Sequence, residues 1–446
     1  MTDAFETHLP RRQFLSTLLA AGGVWAVPSA WAQTQGADSN GRLVVVFLRG
    51  AYDGLSAFVP HGDRNYYALR PNIAIAAPDG SQQTTIKLDE TFGLHPALTP
   101  LQPLWQQGVL AVIPAAGSPD STRSHFDAQH QWEIGIPGHS GAGAGWLNTL
   151  AGLGAKGAGP TAASLAAQEP GSNGGGGARP SQANALGVGE ANPQILSGGA
   201  PVQLVPRGQA ATRQGALGDA RTREVMMKLY AGQDGLSQAF RAGAQSRMQT
   251  AQTLSNEMAD PAMTVQEMQA ANNGAGSAQG LLLDAQHLGT LMRRDRNLRL
   301  GFLSAGGWDT HANQGAATGA LANNLGNLAA ALVQLRRDFS EPNDVVVVCS
   351  EFGRTSAENG TRGSDHGHGN ALWLMGNRVN GGRWHGQWSG LAQGNLHEGR
   401  DLPVHHDFRG VFAQVLRSTQ GLASGDISRL FPGFAWDIAL DGLMRG

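Results

Sequence analysis

The sequence predicts an α/β fold with a mainly parallel sheet flanked by helices. Two observations predict it. Short, continuous apolar runs rich in valine recur along the chain, the pattern of strands buried on both faces. Helical patterns lie between several of these runs, and strands alternating with helices argue for parallel pairing. The composition allows a real core, because 41% of the 446 residues are hydrophobic and only 15% are charged.

The first thirty-odd residues read as an address, not as part of the fold. Arg11-Arg12-Gln13-Phe14-Leu15 has the form of a twin-arginine signal. An apolar stretch from Phe14 to Val27 follows, too short and too weak to span a bilayer. Ala30-Trp31-Ala32 supplies a cleavage site, so residues 1–32 are expected to be removed during twin-arginine export. The expected destination is the periplasm or beyond, and the first expected partner is the export machinery. Residues 33–446 are expected to form one α/β domain.

Five runs read as strands: Arg42 to Leu48, Val109 to Ile113, Leu298 to Ser304, Val345 to Cys349 and Ala371 to Met375. Ser124 to Ile134 and Ala320 to Phe339 read as helices. Helical periodicity also runs from about Thr222 to His287, with breaks near Asp260-Pro261 and Asn272-Gly274. The stretch from Gly152 to Gly199 is rich in Gly, Ala, Ser and Pro, and its first part reads as a surface insertion. The formal net charge of -2 gives no reason to expect nucleic acid or an anionic membrane as partner. Cys349 is the one cysteine, so no intramolecular disulfide forms; within its valine run it reads as a buried, inert thiol.

Ligand sites in open parallel sheets form outside the carboxyl ends of the strands. Asp53 follows the first run there, and Ser118 to His125 follows the second. Trp308-Asp309-Thr310-His311 follows the third and Ser350-Glu351-Phe352-Gly353-Arg354 the fourth. Asp365-His366-Gly367-His368 precedes the fifth. Carboxylates on one rim repel one another, and a bound cation removes the conflict. Carboxylate with imidazole suits zinc or manganese, and with waters also magnesium or calcium. The plainer readings are an Asx turn for Asp53, a helix cap for Asp309 and a Glu351–Arg354 ion pair. Arg123 offers a fork for a phosphate or sulfate at a helix N-terminus. Ser124 or Thr122 is either a metal-activated nucleophile or, for Ser124, the helix cap. Trp384 and Trp388 read as sugar platforms or, more simply, as packing.

The segments LVVVFLRGAYDGL, RSHFDAQ, GGWDTH, SEFGRT and DHGHG resemble a large bacterial family of twin-arginine-exported proteins known as a domain of unknown function. That family is in turn similar to the alkaline phosphatase and sulfatase superfamily. The resemblance implies an alkaline phosphatase-like fold and a two-metal site. Asp53, Asp309, His311, Glu351, Asp365 and His366 then look like metal ligands, and Ser124 like the nucleophile beside Arg123. Phe352 departs from the pattern, which places a histidine there. The expected activity is metal-dependent hydrolysis of a phosphate or sulfate ester; the alternative is a non-catalytic binding or assembly protein that keeps the fold.

Overall fold

The computed structural model describes residues 41–157, 183–191, 193–212, 219–257 and 272–446. The signal expected over residues 1–32 lies outside them, as do the core of the Gly/Ala-rich insertion and the expected break at Asp260-Pro261. Residues 39–446 form one compact unit.

The main sheet is built from β1 (Leu43–Leu48), β2 (Leu110–Gly117), β3 (Ala185–Gly189), β4 (Val202–Pro206), β5 (Leu300–Ala305), β6 (Val345–Cys349) and β7 (Asn370–Gly376). Their order across the sheet is β2-β7-β6-β1-β5-β3-β4, with the two-residue strands Arg383–Trp384 and His406–Asp407 pairing on β2. β1 lies at the centre. Val45 pairs in parallel register with Phe302 on one side and Val347 on the other. β7 alone runs antiparallel to both of its neighbours, β2 and β6.

Every side chain of β1 is buried, as a strand covered on both faces requires. Val44, Val46 and Leu48 point to one layer, and Leu43, Val45 and Phe47 to the other. The first layer is closed by α5 (Leu281–Arg294) and α6 (Ala320–Asp338), both defined by leucines at helical spacing such as Leu321, Leu325, Leu328, Leu332 and Leu335. The second is closed by α1 (His125–Ile134), α2 (Trp146–Gly157) and α7 (Phe408–Gln420) through Trp132, Trp146, Phe408 and Phe412. Each such aliphatic or aromatic side chain contributes roughly 1.5–3 kcal/mol on burial. Two further helices, α3 (Ala220–Leu229) and α4 (Gly235–Glu257), fall within the long helical stretch read from periodicity, with a break at 230–234 that the periodicity did not mark.

All five strands read from the sequence are present within two residues at their starts, with β2 running four residues further than read. β3 and β4 were missed. β3 lies inside the stretch Gly152 to Gly199, and α2 runs into that stretch through Gly157, so both of its described ends belong to the α/β fold. The glycines of β3 conceal it, because Gly187 and Gly189 blunt the apolar signal. No described helix is long and apolar enough to cross a membrane.

Candidate metal centre

The carboxyl ends of β1, β2, β5 and β6 share one edge of the sheet. β7 starts at that edge because it is antiparallel, so the loop before it arrives where the other strands leave. Four segments far apart in sequence therefore meet there. Gly50 sits in this crowd at φ +110°, where a Cβ would come within 2.8 Å of the Asp309 amide nitrogen.

β5 delivers Asp309. Trp308 before it is fully buried and its Nε1 donates to the Ala305 carbonyl (3.0 Å), which fixes the loop and leaves Asp309 partly exposed at the rim. α1 delivers His125 from its first turn. Ser124 is the N-cap of that helix, accepting from the Asp127 amide at 3.4 Å. The loop before β7 delivers His366, and the loop after β5 also delivers His311.

These four side chains converge. The His125 and His366 Nε2 atoms are 3.0 Å apart, as are those of His311 and His366. Asp309 Oδ1 lies 3.6 Å from His125 Nε2, 3.3 Å from His366 Nε2 and 2.9 Å from His311 Nε2. Among the described residues, His125, Asp309 and His366 form the group whose ligand atoms all lie within 4.8 Å of one another. His311 adjoins it. Two ligands about 2.1 Å from one tetrahedral ion stand about 3.4 Å apart. The three separations within the group, 3.0, 3.3 and 3.6 Å, bracket that value.

The tautomers sharpen the point. His125 Nδ1 faces Glu351 Oε1 at 2.7 Å, His311 Nδ1 faces Asp365 Oδ1 at 3.0 Å, and His366 Nδ1 faces the Arg123 carbonyl at 2.8 Å. Carboxylates and carbonyls only accept, so each Nδ1 carries the proton and donates. A neutral ring then presents a lone pair at Nε2. Three such lone pairs and a carboxylate oxygen are turned on one small volume, an arrangement that a metal cation or a shared proton satisfies.

A proton competes for the same place. Burial alone would lower the His125 pKa, but its bonds to Asp309 and Glu351 push it up to about 9, so a metal ion binds by displacing that proton from Nε2. Burial would raise the Asp309 carboxyl, yet His125, His366 and Arg354 hold it far below the usual carboxylate range. The pocket draws positive charge.

Glu351 stands behind the cluster. Its fully buried carboxylate accepts from the Gly50 amide (2.8 Å), Gln129 Nε2 (2.8 Å), Ser350 Oγ (2.8 Å) and His125. The structure thus places it as the residue that orients His125. The Glu351–Arg354 pair allowed by the sequence does not form; Arg354 Nη2 instead donates to Asp309 Oδ1 at 2.6 Å. Asp365 stands behind His311 and also accepts from Asn359 Nδ2 at 2.9 Å. Phe352, where the resemblance placed a histidine, stacks on His125 with ring centroids 4.9 Å apart and lies 5.2 Å from the His366 ring. It is a wall for two imidazoles.

Two expectations read differently in the structure, and the two tryptophans take the simpler of their two readings. Asp53 is not in the cluster: its fully buried carboxylate accepts from Arg70 at 2.6 and 3.1 Å, from Ser56 Oγ and from Gln314 Nε2, both at 2.7 Å. Arg123 is not an open fork, because Nη2 already donates to Glu398 at 2.7 Å and Asp401 at 2.8 Å. Trp384 and Trp388 are packing residues. Trp384 packs against Phe58, Phe92 and Trp105, and Trp388 against Phe92. His125 was missed as a site residue, although it is the first helical residue after β2 and immediately follows Ser124. Cys349 is buried as expected, and burial pushes its thiol well above the ordinary range.

No curated protein matches this chain. Among solved structures, the alkaline phosphatase from the Antarctic bacterium TAB5 is similar at 10% identity and a TM-score of 0.35, over 86% of this chain and 99% of that one. A variant of the same enzyme with Mg bound is similar at 12% identity and a TM-score of 0.34, over 85% and 97%. At these scores the likeness carries no argument about the site. The match over residues 40–431 is of another kind: the chain belongs to the family described as Protein of unknown function (DUF1501).

Proposed function

We propose that the protein is an exported, metal-dependent hydrolase of a phosphate or sulfate ester, with a divalent cation held by His125, Asp309 and His366. The observation that carries this reading is the set of inward lone pairs: each imidazole has its Nδ1 committed to an acceptor, leaving Nε2 for a metal. Two imidazoles and a carboxylate suit zinc or manganese better than magnesium or calcium. Such an ion supplies Lewis-acid polarisation of an ester oxygen and makes a water more acidic.

The protein's own groups do the rest. Glu351 and the Arg123 carbonyl fix the tautomers and ring planes of His125 and His366. Phe352 keeps water from the inner face of those rings. His311, 44% exposed, is the group placed to hold or hand on a proton at the open side. Ser124 is bound as a helix cap, which favours water over Ser124 as the attacking group.

The test is metal analysis of the purified protein, followed by assays on aryl phosphate and aryl sulfate. The reading predicts a bound divalent ion and turnover that falls at least a hundredfold in Asp309→Ala and in His366→Ala. Absence of any bound metal after incubation with zinc and manganese salts would end it. One observation favours a binding protein that transfers nothing: Arg123 is already neutralised by Glu398 and Asp401. Metal bound tightly with no turnover on either ester class selects that reading.

Export rests on the Arg11-Arg12 motif. Replacing both by Lys is expected to leave the precursor in the cytoplasmic fraction, and undiminished export of that variant would remove the twin-arginine assignment.

A further inference from the structure

A second feature of the rim bears on how many ions it takes. Arg354 is a fully buried cation where three loops meet, those after β1 and β5 and the one before β7. Its Nε donates to the Ala51 carbonyl at 2.6 Å and Nη1 to the Ser364 carbonyl at 3.0 Å. Nη2 donates to the carbonyls of Gly50 (2.5 Å) and Trp308 (3.2 Å) and to Asp309 Oδ1 (2.6 Å). Four carbonyl oxygens and one carboxylate oxygen surround this guanidinium and hold it in place.

The charges around it can be counted. Three carboxylates touch the cluster: Asp309 within it, Glu351 behind His125 and Asp365 behind His311. With the histidines neutral, they total about three negative charges. One divalent ion and one guanidinium balance them. A second divalent ion would leave an excess of two positive charges that no further carboxylate among these groups offsets.

We infer that Arg354 is a fixed cation sharing Asp309 Oδ1 with the metal position, and that the site is built for one divalent ion per chain. This rests on the metal reading above. It assigns Arg354 a positioning and charge-balancing role, not contact with a substrate. It also gives Asp309 two duties, ligand on one side and counter-ion on the other.

The experiment is a calorimetric titration of the metal-stripped protein with zinc chloride, and separately with manganese chloride, with elemental analysis after dialysis. The expected stoichiometry is one, lost in His366→Ala. Two ions per chain, both dependent on Asp309, would overturn the inference while leaving the metal reading intact; none would overturn both. Arg354→Gln provides the second readout. Removing a competing cation from the shared oxygen is expected to tighten zinc binding at least tenfold, whereas an arginine that only braced the loops would weaken it when lost. Unchanged or weaker binding in a folded Arg354→Gln protein counts against the inference. If that variant does not fold, the stoichiometry of the unaltered protein decides.

Discussion

At the scale of single residues, the site depends on what stands behind each ligand. Glu351 touches no open face, yet it fixes the tautomer of His125 and so decides whether Nε2 offers a lone pair. Outer partners of metal-binding histidines commonly change metal affinity by about 10- to 100-fold. Glu351→Gln is therefore expected to weaken zinc binding by that order in a competition assay with a chromogenic chelator, with the far-ultraviolet spectrum unchanged. Residue-scale detail is also where the sequence was least legible. Asp309, His311, Asp365 and His366 were readable because each follows or precedes a strongly apolar run. Asp53 has the same local signature, but Arg70 lies in a loop 17 residues later and takes its carboxylate. Nothing in the spacing shows that Arg70 folds back. The partner of Arg354 was likewise hidden, since the choice between Glu351 and Asp309 depends on a contact 45 residues away in sequence.

At the scale of elements, two buried charged groups make separable predictions. Arg49, at the end of β1, is wholly buried and pairs with Glu133 of α1 and with Glu190, which follows β3 (2.9 Å), while Gln129 of α1 accepts from it at 2.8 Å. Breaking a buried network by removing one partner typically costs about 3–5 kcal/mol. Arg49→Met is expected to lose that much in urea denaturation, because it leaves two carboxylates facing each other where a strand end, a helix and a loop join.

α5 holds Asp284 and His287, both buried on its inner face. Burial raises the Asp284 carboxyl to about 6, against a partial offset from the Gly208 amide and Arg207. Its protonation stabilises the fold fully below about pH 4, and that gain is lost as pH rises through 6, costing about 3 kcal/mol above it. His287 works in the opposite direction. Burial lowers it to about 4, so its contribution is present above about 6.5 and is lost as pH falls through 4. Asp284→Asn is expected to raise Tm by several degrees at pH 8 and to change it little at pH 4. A uniform shift at both pH values would show that ionisation at this position is not the cause. The strands themselves were legible because valine runs admit few alternatives. β3 was not, since two glycines in five residues blunt its signal.

At the scale of the whole molecule, the antiparallel β7 has a consequence in time as well as in space. His125 and His366 are separated by 241 residues, and they meet only after β2, β5, β6 and β7 are all in register. Contacts of such long range form late, because loop closure must come before them. An ion can then recognise only the nearly finished molecule. Zinc is expected to leave the refolding rate unchanged and to slow unfolding, as stopped-flow measurements with and without the ion would show. Faster refolding with zinc would mean that the ligands gather earlier than the strands allow. The cluster would thus act as a certificate of completed folding, of use to the chain if it is exported folded as proposed above.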